Sequence, residues 1–109
     1  MKSVAVNKTE TYKKSLEDLD NEVKKRVERK VEGLKGNPEL GKSQKYISGL
    51  WALHIGKYRV FYTYSKESVD VLLVWVLDIF HKKELNGHYP KVFGELRKLI
   101  DKIKEIKTK

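Results

Sequence analysis

The sequence predicts an α+β fold: an N-terminal strand and a helical hairpin packed on a small antiparallel sheet, followed by a C-terminal amphipathic helix. Three observations carry this. Apolar residues recur at helical spacing from Tyr12 to Leu34, β-branched and aromatic residues dominate from Leu50 to Leu77, and helical spacing returns after Pro90. At 109 residues the chain has room for one domain, residues 1–109, with one core.

Ser3 to Asn7 reads as a short strand, with Val4 and Val6 on one face. Thr9 is placed to cap a helix in which Tyr12, Leu16 and Leu19 share a stripe. Asp20 offers a second N-cap, and Val23, Val27, Val31 and Leu34 continue the pattern, as a hairpin or one bent helix. Gly36-Asn37-Pro38 ends it, and Glu39 to Gly49 reads as a polar loop. Leu50–Ile55, Lys57–Tyr64 and Val69–Leu77 then form a three-stranded meander with turns at Gly56-Lys57 and Ser65–Ser68. The last strand is nearly all apolar, so it belongs in the middle, covered on both faces. Pro90 opens a helix over 91–107 with Val92, Leu96, Leu99, Ile103 and Ile106 on one face.

A hydrophobic fraction of 39% with 10% aromatics is enough for a packed globule, which excludes a disordered chain. With no cysteine there is no disulfide framework, thiolate zinc site or cysteine nucleophile, and a reducing compartment fits. Met1 to Thr11 is too polar for a secretory signal, and Val71 to Leu77 is too short to cross a bilayer. A cytoplasmic location with no membrane partner is the expectation.

The net charge of +9 concentrates polyanions near the surface, so nucleic acid or an acidic protein is the natural partner. Heat adaptation would also give many Lys and Glu, but it accounts for the total charge and not for the positive excess. The excess is uneven. Residues 50–80 hold three basic and three acidic side chains, residues 81–109 nine and four, and residues 1–49 twelve and eight. The surplus therefore sits on the helices and on the stretch after the last strand.

Two segments go further. Leu34-Lys35-Gly36-Asn37-Pro38-Glu39-Leu40 precedes Gly49-Leu50-Trp51-Ala52-Leu53-His54-Ile55-Gly56-Lys57-Tyr58-Arg59-Val60-Phe61-Tyr62, and Val71 to Leu77 is followed by Phe80-His81-Lys82-Lys83. Over residues 3 to 89 this order of parts resembles the RelE/ParE superfamily of toxin–antitoxin toxins, and the Phe-x-Lys-Lys element, with a Pro-initiated helix after it, leans towards the HigB or phage-related branch. The resemblance implies a RelE-like fold and a toxin silenced by a cognate antitoxin. It also implies a metal-independent endoribonuclease, an mRNA interferase acting on messenger RNA at the ribosome, with no cofactor.

In such a reaction the 2′-hydroxyl attacks the adjacent phosphate. The enzyme removes a proton, stabilises the phosphorane and protonates the leaving oxygen. Arg59 matches the family's strand arginine, and a guanidinium holds two phosphate oxygens while staying charged. Without the resemblance, Arg59 reads equally well as a surface arginine. His81 and Lys82 stand where the family places basic residues, which gives a catalytic set of Arg59, His81 and Lys82. Lys83, Lys57 and His54 are candidates for phosphate contact, and His54 also reads as an exposed strand histidine. Tyr62 or its face-mate Tyr64 is a candidate for stacking on a base, though such tyrosines are more often partly buried packing residues with a wet hydroxyl, and Tyr89 or His88 matches the tyrosine many relatives carry near the C-terminus. Leu50 and Ala52 occupy positions where well-known RNase relatives have lysines, so the set is incomplete or reassigned. A non-enzymatic inhibitor of a protein such as DNA gyrase, of the ParE sort, and a plain RNA-binding module are the competing readings. No metal site is expected, because His54, His81 and His88 lack ligand spacing. The oligomeric state is not legible.

Overall fold

The computed structural model describes residues 3–45 and 47–107, with backbone only for Ile106 and Lys107. The elements are β1 (Ser3–Lys8), α1 (Glu10–Glu17), α2 (Asn21–Glu32), a 3-10 turn at Gly33–Lys35, β2 (Lys42–Ser43), β3 (Leu50–Ile55), β4 (Tyr58–Lys66), β5 (Val71–His81), α3 (Lys82–Leu85) and α4 (Tyr89–Lys107).

The strands form one sheet in the order β1-β5-β4-β3-β2. The β3–β4–β5 meander and the β2–β3 pair are antiparallel, and β1 joins β5 in parallel, with Val4 beside Leu72 and Lys8 beside Val76. Parallel pairing needs a crossover, and the sheet obtains it because β1 leaves into the helical hairpin long before β5 begins. Thr9 fixes the departure point. Its hydroxyl accepts from Tyr12 N at 3.0 Å, capping α1, and donates to Leu77 O at 2.6 Å, tying the helix start to β5.

The two sheet faces carry separate cores. On one face α1, α2 and the 3-10 turn bring Tyr12, Val27, Val31 and Leu34 against Leu53, Ile55, Val60, Tyr62, Val74, Val76 and Ile79. On the other, α4 lays Val92, Leu96 and Ile103 over Leu50, Ala52, Phe61, Leu77 and Phe80. Leu99 packs at the margin of this second core, while the Ile106 side chain lies outside the described residues. Both clusters draw on β5, which explains its unbroken apolar run.

The structure departs from the sequence expectation in several places, and the second meander strand spans Tyr58–Lys66 instead of Lys57–Tyr64. The supposed loop 39–49 contains β2. The third meander strand starts at Val71 and not Val69, because the backbone amides of Glu67 and Ser68 turn back to Val71 O and leave Val69 77% exposed. Strand β5 runs on to His81, since β4 extends far enough to pair with it up to Tyr58. Lys82–Leu85 forms a short helix, and α4 begins at Tyr89, one residue before the proline. Among the described residues no helix is long and apolar enough to cross a membrane.

Candidate functional site

The β3–β4 hairpin turns on Gly56 and Lys57. Gly56 has φ +57°, the conformation that a two-residue hairpin with glycine in first place requires and that a side chain resists. The tight turn fixes the register, setting Ile55 opposite Tyr58 and His54 opposite Arg59. On its other edge β4 sets Tyr58 opposite His81 and Arg59 opposite Phe80. The amide of Lys82 donates to Lys57 O at 2.7 Å, which ties the start of α3 to the turn. One end of the sheet thus gathers His54, Lys57, Arg59, His81, Lys82 and Lys83.

Strand alternation divides this group. Ile55 and Tyr58 belong to the core beneath α1 and α2, whereas Ala52, Phe61 and Phe80 belong to the core beneath α4. His54 and Arg59 therefore prolong the α4 face, and His81, edge-on to Tyr58 with ring centroids 5.0 Å apart, lies on the hairpin face. Arg59 and His81, both of the expected catalytic set, thus stand on opposite faces of the sheet.

Arg59 is half-buried and held in place: its Nη1 donates to Gly56 O and Tyr58 O, both at 2.9 Å. Among the described residues no carboxylate pairs with it, nor with His54, Lys57, His81, Lys82 or Lys83, whereas Lys13–Glu10 and Lys35–Glu32 are ion pairs elsewhere. His54 is exposed, and its pKa falls below the usual histidine value. Partial burial is the main cause, followed by repulsion from Arg59 and Lys42. The shift favours the neutral imidazole beside a fixed cation.

His81 has a structural duty that periodicity did not reveal. Its Nδ1 accepts from the Lys83 amide at 3.0 Å, while Glu84 Oε1 accepts from the His81 amide at 3.0 Å, a reciprocal capping box for α3. A cap before Lys-Lys-Glu was visible in principle, because acceptor and glutamate stand three residues apart. Lys82 and Lys83 are exposed in the first turn of α3, and Lys57 is exposed at the hairpin turn.

The two tyrosines diverge. Tyr62 is completely buried; its hydroxyl donates to Pro38 O at 2.7 Å and accepts from Gly41 N at 3.0 Å. It anchors the loop after the helical hairpin, so the expectation that it stacks on a base is corrected. Tyr64 donates to Glu39 at 2.8 Å and belongs to the same anchor. Tyr89, by contrast, is 45% exposed. Its ring lies 5.5 Å from Phe93, which packs edge-on against Phe61, two residues along from Arg59 on the α4 face. Leu50 and Ala52 are buried under α4, so the positions where lysines were sought form part of the core. Among the described residues no cluster of three His, Asp or Glu side chains is disposed to hold a metal ion.

A five-stranded sheet carrying a helical hairpin on one face and a terminal helix on the other is the fold of the RelE toxins. The chain superposes on a double mutant of the E. coli toxin RelE in the free state with a TM-score of 0.67 and 21% identity, over 92% of this chain and 99% of that one. It superposes on the Mycobacterium tuberculosis toxin–antitoxin complex RelBE2 with a TM-score of 0.62 and 25% identity, over 74% and 93% of the respective chains. For the RelB–RelE complex from Methanococcus jannaschii the values are 0.62 and 16%, over 77% and 99%. No curated protein sequence matches significantly. The profile of the family described as ParE toxin of type II toxin-antitoxin system, parDE, matches residues 6–86. The chain belongs to this family and is a toxin of a type II toxin–antitoxin system in the RelE/ParE superfamily.

Proposed function

We propose that this toxin is a metal-independent endoribonuclease that cuts messenger RNA at the ribosome and is silenced in the cytoplasm by a cognate antitoxin. The observation that carries the reading is the His54–Arg59 pair, a neutral imidazole across from a preset guanidinium without a carboxylate to neutralise it. Solved relatives that are complexes of toxin with antitoxin support the partner.

The chemistry follows from the geometry. Arg59 is charged throughout the reaction and already oriented, so it stabilises the phosphorane without reorganising. His54 accepts the proton of the attacking 2′-hydroxyl, for which a depressed pKa keeps it unprotonated, and as the P–O5′ bond breaks the leaving 5′-oxygen takes a proton from solvent or from the imidazolium so formed. Lys57, Lys82 and Lys83 hold neighbouring phosphates, and the exposed face of Tyr89 offers a stacking surface for an unpaired base. His81 positions α3, and with it both lysines.

A second reading has its own support. Burial of Leu50 and Ala52 leaves the sheet short of cations beneath α4, as expected of a non-enzymatic inhibitor of DNA gyrase. Primer extension on messenger RNA in a translation reaction separates the two. New cuts that Arg59→Ala or His54→Ala weakens by roughly 100-fold or more establish the nuclease. Intact RNA with folded wild-type protein, together with loss of gyrase supercoiling, establishes the inhibitor.

A further inference from the structure

A second basic site adjoins the constellation just described and shares His54 with it. A cleft of about 380 Å³ opens between α2 and the hairpin turn, lined by Arg26, Arg29, Lys30, His54, Ile55 and Gly56. Arg26, Arg29 and Lys30 stand at i, i+3 and i+4 and so share one flank of α2, all of them exposed. Two acids of the helix lie off this flank, while Glu22 stands one turn before Arg26 and makes no ion pair with it. Glu28 and Glu32 face α1, where, after burial, they help push the Tyr12 hydroxyl up to about 12, and Glu32 also pairs with Lys35 at 3.1 Å. Among the described residues no carboxylate lines the cleft.

Gly56 joins the cleft to Arg59. Its carbonyl accepts from Arg59 Nη1, and a Cβ on it would stand 3.4 Å from Arg26 Nη2, so two guanidinium groups close on one turn residue from different elements. Cations gathered in this way, with no acidic partner among the described residues, repel one another until an anion joins them. Guanidinium pairs at a glycine, where backbone is bare, suit the planar recognition of phosphate oxygens.

We propose that this cleft is a phosphate subsite for the RNA backbone, which holds a nucleotide neighbouring the one presented to Arg59. The inference rests on the nuclease reading for its choice of RNA, and the test keeps the two apart. The full-length free toxin is titrated with a single-stranded 2′-O-methyl RNA, which has no nucleophile and is not cut, and in parallel with inorganic phosphate. The Gly56 amide and the Arg26 and Arg29 Nε resonances are followed by NMR, and RNA affinity by anisotropy across a salt series.

RNA is expected to shift those resonances. Arg26→Ala/Arg29→Ala should weaken binding by about tenfold at low salt and flatten the salt slope by roughly 0.7 for each phosphate no longer neutralised. Lys24→Ala/Lys25→Ala removes the same formal charge from the same helix and should leave affinity within about twofold. Resonances unmoved by RNA in the wild-type protein overturn the proposal, whether or not the double variant folds. Equal losses in the two double variants overturn it as well, in favour of diffuse attraction, and a response to inorganic phosphate alone overturns its assignment to RNA. Because the probe is uncleavable, primer-extension cuts can persist when the cleft proves silent, and the cleft can bind when no cut is made.

Discussion

Arg59 stands directly across the β3–β4 ladder from His54, and two backbone carbonyls, not a carboxylate, hold its guanidinium. The pair is therefore electrostatically asymmetric: the arginine keeps its full charge and the histidine is pushed towards neutrality. Since Arg59 is a named cause of the depression, after burial, Arg59→Ala should raise the His54 pKa towards its ordinary value. The sign for stability follows. A histidine depressed in the folded state costs nothing at high pH and loses stability as pH falls below its unfolded value. Arg59→Ala should shrink that acid-side loss. Titration of the His54 ring by NMR in both proteins checks the direction, and an unchanged midpoint would refute the coupling.

His81 caps α3 through Nδ1, and its ring lies on the sheet face away from Arg59. Removing the acceptor with His81→Ala should cost about 0.5–2 kcal/mol, the usual value of a lost N-cap. His81→Asn keeps a capping acceptor and removes the imidazole. The asparagine variant is expected to keep both stability and most of the cleavage, measured by urea denaturation and primer extension. Full stability with cleavage abolished would instead make His81 a proton-transfer group.

What the sequence disclosed follows the range of the forces involved. Thr9, Asp20 and Pro90 marked helix starts correctly to within a residue or two because caps act locally. The strands from Leu50 to Leu77 were legible from their composition, and Gly56-Lys57 from its turn chemistry. The parallel partnership of β1 with β5 was not, since it joins residues about 68 apart. Strand β2, only two residues long, carries no periodicity at all. In the site, Arg59 and the basic cluster were visible as residue types, but the face on which each lies was not. For His81 the β-bulge opposite Phe61 and Tyr62, which leaves Leu77 out of register, and the continuation of β5 decide that, and neither has a local signature. Tyr62 was legible as a packing residue but the partner of its hydroxyl was not, because a tyrosine beside Val60 looks the same whether that group meets water or Pro38.

Asp78 is the buried charged side chain of the sheet. Burial raises its pKa, the Ser15 hydroxyl and the Ile79 amide partly offset this, and Glu84 and Glu95 push it up further. The folded protein therefore holds this proton at pH values where the unfolded chain has released it. Stability falls as pH rises from the unfolded value near 3.8 through the raised folded one. Asp78→Asn keeps an oxygen to accept from Ser15, at 2.6 Å in the wild type, and removes the charge. It should stabilise the protein at pH 7, by more than it does at pH 4. Urea midpoints at the two pH values test this, and equal shifts at both would place the cost of Asp78 elsewhere.

Gly41 and Tyr62 form a lock between the loop and the sheet. The Gly41 amide donates to the Tyr62 hydroxyl, and a Cβ at Gly41 would run into the Ala52 carbonyl and the Tyr62 ring. The backbone carbonyl has no rotamer by which to yield, so Gly41→Ala must push β2 away from β3. It is expected to cost at least about 1–3 kcal/mol, as overpacking does. Tyr62→Phe keeps the ring and leaves the Pro38 carbonyl and the Gly41 amide without their partner, for a similar loss of about 1–3 kcal/mol. The two losses should not add, because either change alone opens the lock. A double variant as unstable as the sum of the singles would show that the amide–hydroxyl bond and the close backbone approach act independently. Tyr62→Phe should also leave RNA affinity unchanged in anisotropy measurements at matched folded fraction, since its ring never reaches the surface.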